Sequence, residues 1–187
     1  HQPTGAGNMH RILWTALYAA LLALPVSAAS PACDRTCLSG HLTRYLEALA
    51  AHDPRRLPLA PGARFTENGV PVPLGEALWV TFTELGPYRV DYLDPDSGQA
   101  ATHVDFREGD RGGLMALRLR VVKGRIAEIE TVLNRGAPMA MRMPPVEAAW
   151  HEAEPAAARL SRAALARETE NYLRAVSGSD GSLVKFN

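Results

Sequence analysis

The chain has 187 residues, with 20 Lys+Arg against 20 Asp+Glu, so its formal net charge is zero. That length fits one domain, or one domain and part of another, and 47% hydrophobic with 21% charged residues excludes a wholly disordered chain. The neutral balance lacks the basic footprint of a nucleic-acid binder, and two cysteines cannot build a disulfide-dense scaffold or a four-cysteine zinc site.

The N-terminal segment must be set aside before domains are counted. Residues 1–8 read as a leader or expression remnant. Met9-His10-Arg11, the apolar run Ile12 to Leu24, and the small residues Ser27-Ala28-Ala29 form the basic, apolar and cleavage regions of a secretory signal peptide over 9–28. The run falls short of the ~20 residues that span a bilayer, so no membrane anchor is expected in the mature protein. Removing residues 1–28 takes away one charge, Arg11, and leaves a net charge of −1. The expected location is secreted or periplasmic, where disulfides are permitted. Cys33 and Cys37, four apart at the start of a helix, fit the ~6 Å Cα spacing of a bridge. A partner beyond residue 187, or two free thiols, is the alternative.

Leu38, Leu42, Tyr45, Leu46 and Leu49 recur at helical spacing and predict a helix from about Asp34 to Ala51, stopped at His52-Asp53-Pro54. Leu57 to Arg64, rich in proline and glycine, is expected to be an irregular connection. Phe65 to Gly69 predicts a short extended stretch ending in an Asn-Gly turn, and Gly75 to Leu85 a second short helix closed by Gly86-Pro87. Strands are expected over Tyr88–Leu93, Gln99–Arg107, Leu114–Val122 and Arg125–Asn134, with turns at 94–98 and 108–113. For the last hairpin, a three-residue loop Val122-Lys123-Gly124 sets Leu117 opposite Ile129 and Arg118 opposite Glu128. A two-residue loop would set Leu119 against Glu128 and is rejected for that reason. Helices followed by meandering strands indicate an α+β fold.

Composition shifts after Arg135. Residues 136–160 read as a linker, and 161–187 as a C-terminal helix and its exit. Leu165, Thr169, Tyr172, Leu173 and Val176 lie on one side of that helix. Its tail repeats the first helix at an offset of 127: Tyr45-Leu46-Glu47-Ala48 corresponds to Tyr172-Leu173-Arg174-Ala175, Asp53 to Asp180, and Leu57-Pro58-Leu59 to Val184-Lys185-Phe186. The segment is expected to be the start of a second, truncated repeat; two unrelated amphipathic helices are the alternative.

Cys33-Asp34-Arg35-Thr36-Cys37-Leu38, Tyr45-Leu46, His52-Asp53-Pro54 with Leu57-Pro58, Phe65-Thr66-Glu67-Asn68-Gly69, and Ile129-Glu130 resemble exported bacterial proteins of the SnoaL-like group, within the nuclear-transport-factor-2-like superfamily. The resemblance covers residues 33–135. It implies a cone-shaped, strongly curved antiparallel sheet wrapped round helices, with a pocket at its open end. It also implies small-molecule binding, either with cofactor-independent acid/base chemistry (isomerase, cyclase, dehydratase or hydrolase) or in a non-catalytic binding or dimerisation module. Fold alone does not choose between them.

Glu67 and Asn68 are the first candidates for catalysis, because a carboxylate beside an amide can polarise a carbonyl or hold a water. The competing reading is a turn capped by Glu67 and shaped by Asn68-Gly69. His103 and Asp105, two apart on one strand face, are the second candidates; a cross-strand charge ladder outside the core is the alternative. Trp79, Phe82, Tyr88 and Tyr92 could wall an apolar pocket or simply pack the core. Met139, Met141 and Met143 suit Cu(I) in principle but fit a flexible linker better. His151-Glu152 lacks the second histidine of a zinc-protease helix. No cofactor, metal or nucleic acid is expected. The partners expected are a small apolar molecule and a second copy, paired through the sheet or the C-terminal helix.

Overall fold

The computed structural model describes residues 33–136, 152 and 154–184. The signal-peptide segment, the three methionines of the linker and His151 lie outside them. The chain forms two compact units, within residues 1–142 and 143–187.

The first unit opens with α1 (Arg35–Ala50), whose N-terminal N–H groups are met by Asp34: its carboxylate accepts from Cys37 N at 2.8 Å. A 3-10 turn (Pro54–Arg56) follows, then β1 (Leu59–Glu67), β2 (Val70–Pro71), α2 (Leu78–Thr81) and four long strands. These are β3 (Glu84–Asp94), β4 (Gln99–Glu108), β5 (Arg111–Val122) and β6 (Arg125–Arg135). They form one curved six-stranded sheet in the order β2-β1-β6-β5-β4-β3. The expected α+β architecture is therefore the one observed. The apolar stripe of α1 lies against the concave face, where Leu38, Leu42, Tyr45 and Leu49 are wholly buried with Leu117, Leu119, Ile126 and Ile129.

Four local expectations need correction. Leu57 to Arg64 is not an irregular connection, because β1 runs through most of it. Its pairing with β6 is parallel, and the ladder breaks between Leu59 and Arg64, where Pro61 and Gly62 stand. The proline and glycine thus mark an interrupted strand rather than a loop. The second helix shrinks to one turn, since Glu84 already begins β3 and Gly86-Pro87 lies inside that strand. The turn expected at 108–113 narrows to Gly109-Asp110.

The fourth concerns the β5–β6 hairpin. Its loop has two residues, Lys123 and Gly124, both left-handed at φ 51° and 71°. Val122 pairs with Arg125 and Val121 with Ile126, after which Ala127 is left over and Arg120 pairs with Glu128. That one-residue bulge sets Leu119 opposite Ile129 and Arg118 opposite Glu130. The slip inside the ladder is what reconciles a two-residue loop with apolar pairing across the strands.

The second unit contains α3 (Arg162–Gly178), with Ser161 as N-cap, and a 3-10 turn (Gly181–Leu183). No helix among the described residues is long and apolar enough to cross a membrane.

Candidate functional site

The ends of β1 and β6, together with α2, assemble a polar cluster at the rim of the first unit. α2 begins at Ala77 with φ 55° and no side-chain cap of its own. Glu67 supplies one from β1: its Oε2 accepts from Leu78 N at 3.1 Å. The other oxygen meets Arg135 Nη2 at 3.0 Å, and Glu67 is only 8% exposed. Arg135 also donates to Glu108 at 2.7 Å, and Glu108 accepts from the Thr81 hydroxyl. Burial works to raise the Glu108 pKa, but the hydrogen bonds from Thr81 and Arg135 prevail and hold it below the usual carboxylate value.

Asn68, left-handed at φ 50°, ties β1 to β6. Its N–H donates to Thr131 O at 2.7 Å, and its side-chain oxygen accepts from Leu133 N at 2.7 Å. Both atoms stand in for ladder partners that the turn removes.

His103 and Asp105 lie on β4, away from this cluster. Thr102, Val104 and Phe106 fill the core-facing positions of that strand, while His103 is exposed with its ring edge against Tyr92 at 5.3 Å. Asp105 is half-buried at an irregularity of β3, where Gly86, Pro87 and Tyr88 stand opposite it alone. Proline has no N–H for the ladder, and Asp105 accepts the Tyr88 N–H at 2.9 Å. A Cβ on Gly86 would meet the Asp105 carboxylate at 1.9 Å, so glycine is required there. Of the four aromatic candidates, Trp79 and Phe82 are buried, Tyr88 is half-buried and Tyr92 is 47% exposed.

The irregularity of β3 also opens a cleft of about 250 Å³ against α1. Thr43, Leu46, Glu47 and Ala50 form its helix wall, Leu85 and Tyr88 its strand wall, and Val104 lines it from β4. Arg89 stands at this cleft, fixed by Asp91 through two contacts of 2.8 Å and by the Thr43 hydroxyl at 3.0 Å.

Tyr45 lies in the core, as its place in the apolar stripe of α1 predicts. Its hydroxyl and the Trp79 indole N–H are both buried, their rings edge to face at 5.4 Å. Burial pushes the Tyr45 phenol well above its ordinary pKa, and the Glu67 charge adds to that. The role of Arg135 was invisible in the sequence, because nothing local marks a strand-end arginine as partner to a residue 68 positions earlier.

At the other end of α1, Cys33 and Cys37 form a disulfide with Cα atoms 5.2 Å apart. His41 sits one turn further on, 7% exposed, and burial lowers its pKa, as does the nearby Arg44 charge. The grouped sulfur and imidazole atoms of these three residues offer no metal site while the sulfurs are bonded to each other.

No family model and no curated protein matches the chain. Solved structures resemble it in fold. One is a steroid delta-isomerase from Pseudomonas aeruginosa, 18% identical, over 60% of this chain and 86% of that one, with a TM-score of 0.42. Another is an NTF2-like protein of unknown function from Shewanella baltica OS155, 13% identical, over 53% and 92%, with a TM-score of 0.36. No activity is carried over from either.

Proposed function

We propose that the first unit binds a small, mainly apolar, carbonyl-bearing molecule in the cleft between α1 and β3. The observation that carries this reading is the cleft itself: about 250 Å³ of largely apolar wall with the oriented Arg89 guanidinium and the Glu47 side chain at its edge. Apolar walls with few fixed polar groups are the usual composition of small-molecule sites. Arg89 is already held by Asp91 and Thr43, so a ligand oxygen meets a donor whose orientation costs little further entropy.

Binding is favoured over turnover by the employment of the candidate acid/base groups. Both Glu67 oxygens, the Asn68 carbonyl and one Asp105 oxygen accept hydrogen bonds that hold strands or α2 in place. His103 stands on the outer face. A general base needs its lone pair within reach of a substrate proton.

The test is a ligand-observed NMR screen of alicyclic and aromatic ketones against the wild-type chain and Ala50→Phe. Ala50 is an exposed helix residue lining the cleft, so the ring fills space without disturbing the core. Ketone binding should vanish in the variant while its melting temperature stays within about 2 °C, as for surface changes generally. Equal binding by both proteins would place the ligand elsewhere.

Export is part of the same proposal. Residues 9–28 and the Cys33–Cys37 bridge support it, since disulfides persist mainly in oxidising compartments. Cell fractionation with and without residues 9–28 tests it: retention of both forms in the cytoplasm would overturn it.

A further inference from the structure

We propose that α3 and the turn after it are the entry unit of a second domain of the same kind, whose apolar face is built to be covered by a second sheet like β1–β6.

The ground is a local geometry repeated at one offset. Asp34 caps α1 by accepting from Cys37 N at 2.8 Å, and Ser161 caps α3 by accepting from Ala164 N at 3.2 Å, each 127 residues on. The helices begin at Arg35 and Arg162. After α1, His52 turns left-handed at φ 50°; after α3, Ser179 does so at φ 52°. Asp53 N then donates to Ala48 O at 3.0 Å, and Asp180 N to Ala175 O at 2.9 Å. Asp53, at φ −126° and ψ 91°, caps the turn Pro54–Arg56 through Arg55 N. Asp180, at φ −119° and ψ 92°, caps Gly181–Leu183 through Ser182 N. Leu57 and Val184 both leave in extended conformation. Any one of these features is common in helices and turns. Their recurrence at a single offset, through different residues such as Asp for Ser and His for Ser, is expected of a duplicated unit.

The two faces differ in cover. Leu38, Tyr45, Leu46 and Leu49 are 3% exposed or less, whereas their counterparts Leu165, Tyr172, Leu173 and Val176 are 52–62% exposed. A row of large apolar side chains on one helix face marks a surface made to be buried. In the first copy the cover is a curved sheet, which identifies what fits the second. This chain's own sheet is already taken by α1, whose apolar stripe is wholly buried against it and carries leucine where α3 has Thr169 and Val176. The occupant is therefore another sheet of the kind, following residue 184 in the same polypeptide.

The experiment appends a second copy of residues 58–135 in frame after Val184 of the full chain, and compares it with the unextended protein by amide exchange, light scattering and urea unfolding. In the unextended monomer, α3 amides should exchange freely. In the extended protein they should slow at least 100-fold, with a second unfolding transition that Tyr172→Ala abolishes while sparing the first. A further extended version carries Thr169→Leu and Val176→Leu, restoring the leucines of α1. Protection in either version supports the proposal. Free exchange in both overturns it. So does a dimer of the unextended chain that Leu173→Lys dissociates, because another copy would then be the cover.

Discussion

Glu67 and Arg135 close the rim of the sheet across 68 positions of sequence, with Oε1 and Nη2 3.0 Å apart. The pair is unequal: the carboxylate is 8% exposed at its side chain and the guanidinium 41%. Arg135 can turn to water and still keep Glu108, but among the described residues Glu67 has otherwise only Leu78 N. Removing the arginine should therefore cost more than removing the acid's charge. Arg135→Leu is expected to lose about 2–3 kcal/mol, and Glu67→Gln about 1–2 kcal/mol, since hydrogen bonds to charged groups fall in that range. Urea midpoints measured for both variants check the order. The reverse order would mean that the pair is not what holds α2 to the sheet.

Acid should weaken the outer face of the sheet through Glu128. It accepts from Arg118 at 2.8 Å, Arg64 at 2.7 Å and Arg120 at 3.3 Å. These bonds, Arg118 foremost and then Arg64, hold its pKa down to about 2. A carboxyl depressed on folding contributes stability that is fully present above its unfolded value, near 4.5, and lost as pH falls toward 2. Melting temperature should thus drop between those limits, and Glu128→Gln should flatten the drop. At pH 7 the variant should be less stable by about 1 kcal/mol, allowing for solvent around the arginines.

Gly86 and Asp105 should behave as a coupled pair. Gly86→Ala forces a methyl into the carboxylate at 1.9 Å, and overpacking of this kind costs about 1–3 kcal/mol. Asp105→Ala alone loses the Tyr88 N–H partner, worth about 1–2 kcal/mol. The double variant relieves the clash. A double-mutant cycle should therefore show the second substitution costing less after the first, with coupling above about 0.5 kcal/mol. Simple additivity would contradict the close approach.

At the tip of the β5–β6 hairpin, Lys123 occupies a left-handed position at φ 51° that asparagine tolerates better. Lys123→Asn should stabilise the protein by about 0.5 kcal/mol, visible as a rise in melting temperature. Lys123→Val should do the opposite.

The sequence was most informative where a feature repeats along the chain. The stripe Leu38, Leu42, Tyr45, Leu46 and Leu49 located α1 to within a residue at each end, because helix periodicity and an Asp cap are local. In β4 the residues alternate as a strand's two faces require, with Thr102, Val104 and Phe106 inside. Periodicity failed where a strand is irregular: β1 between Leu59 and Arg64, β3 at Gly86–Tyr88, and β6 at Ala127. A bulge leaves no periodic trace, since one extra residue shifts the pattern without announcing the shift.

What the sequence determined alone, then, was the presence of an apolar-faced helix, a strand meander and a C-terminal helix. Tertiary structure decided the work of the polar residues. Glu67, Asn68 and Asp105 were legible as candidates by type, but their hydrogen bonds go to Arg135, Leu133 and Tyr88, groups brought near by the sheet and not by the chain. The cleft arose the same way. Local propensity acts over a few residues, whereas a pocket and the partners of a buried carboxylate depend on contacts between segments tens of positions apart, which only the folded sheet brings together.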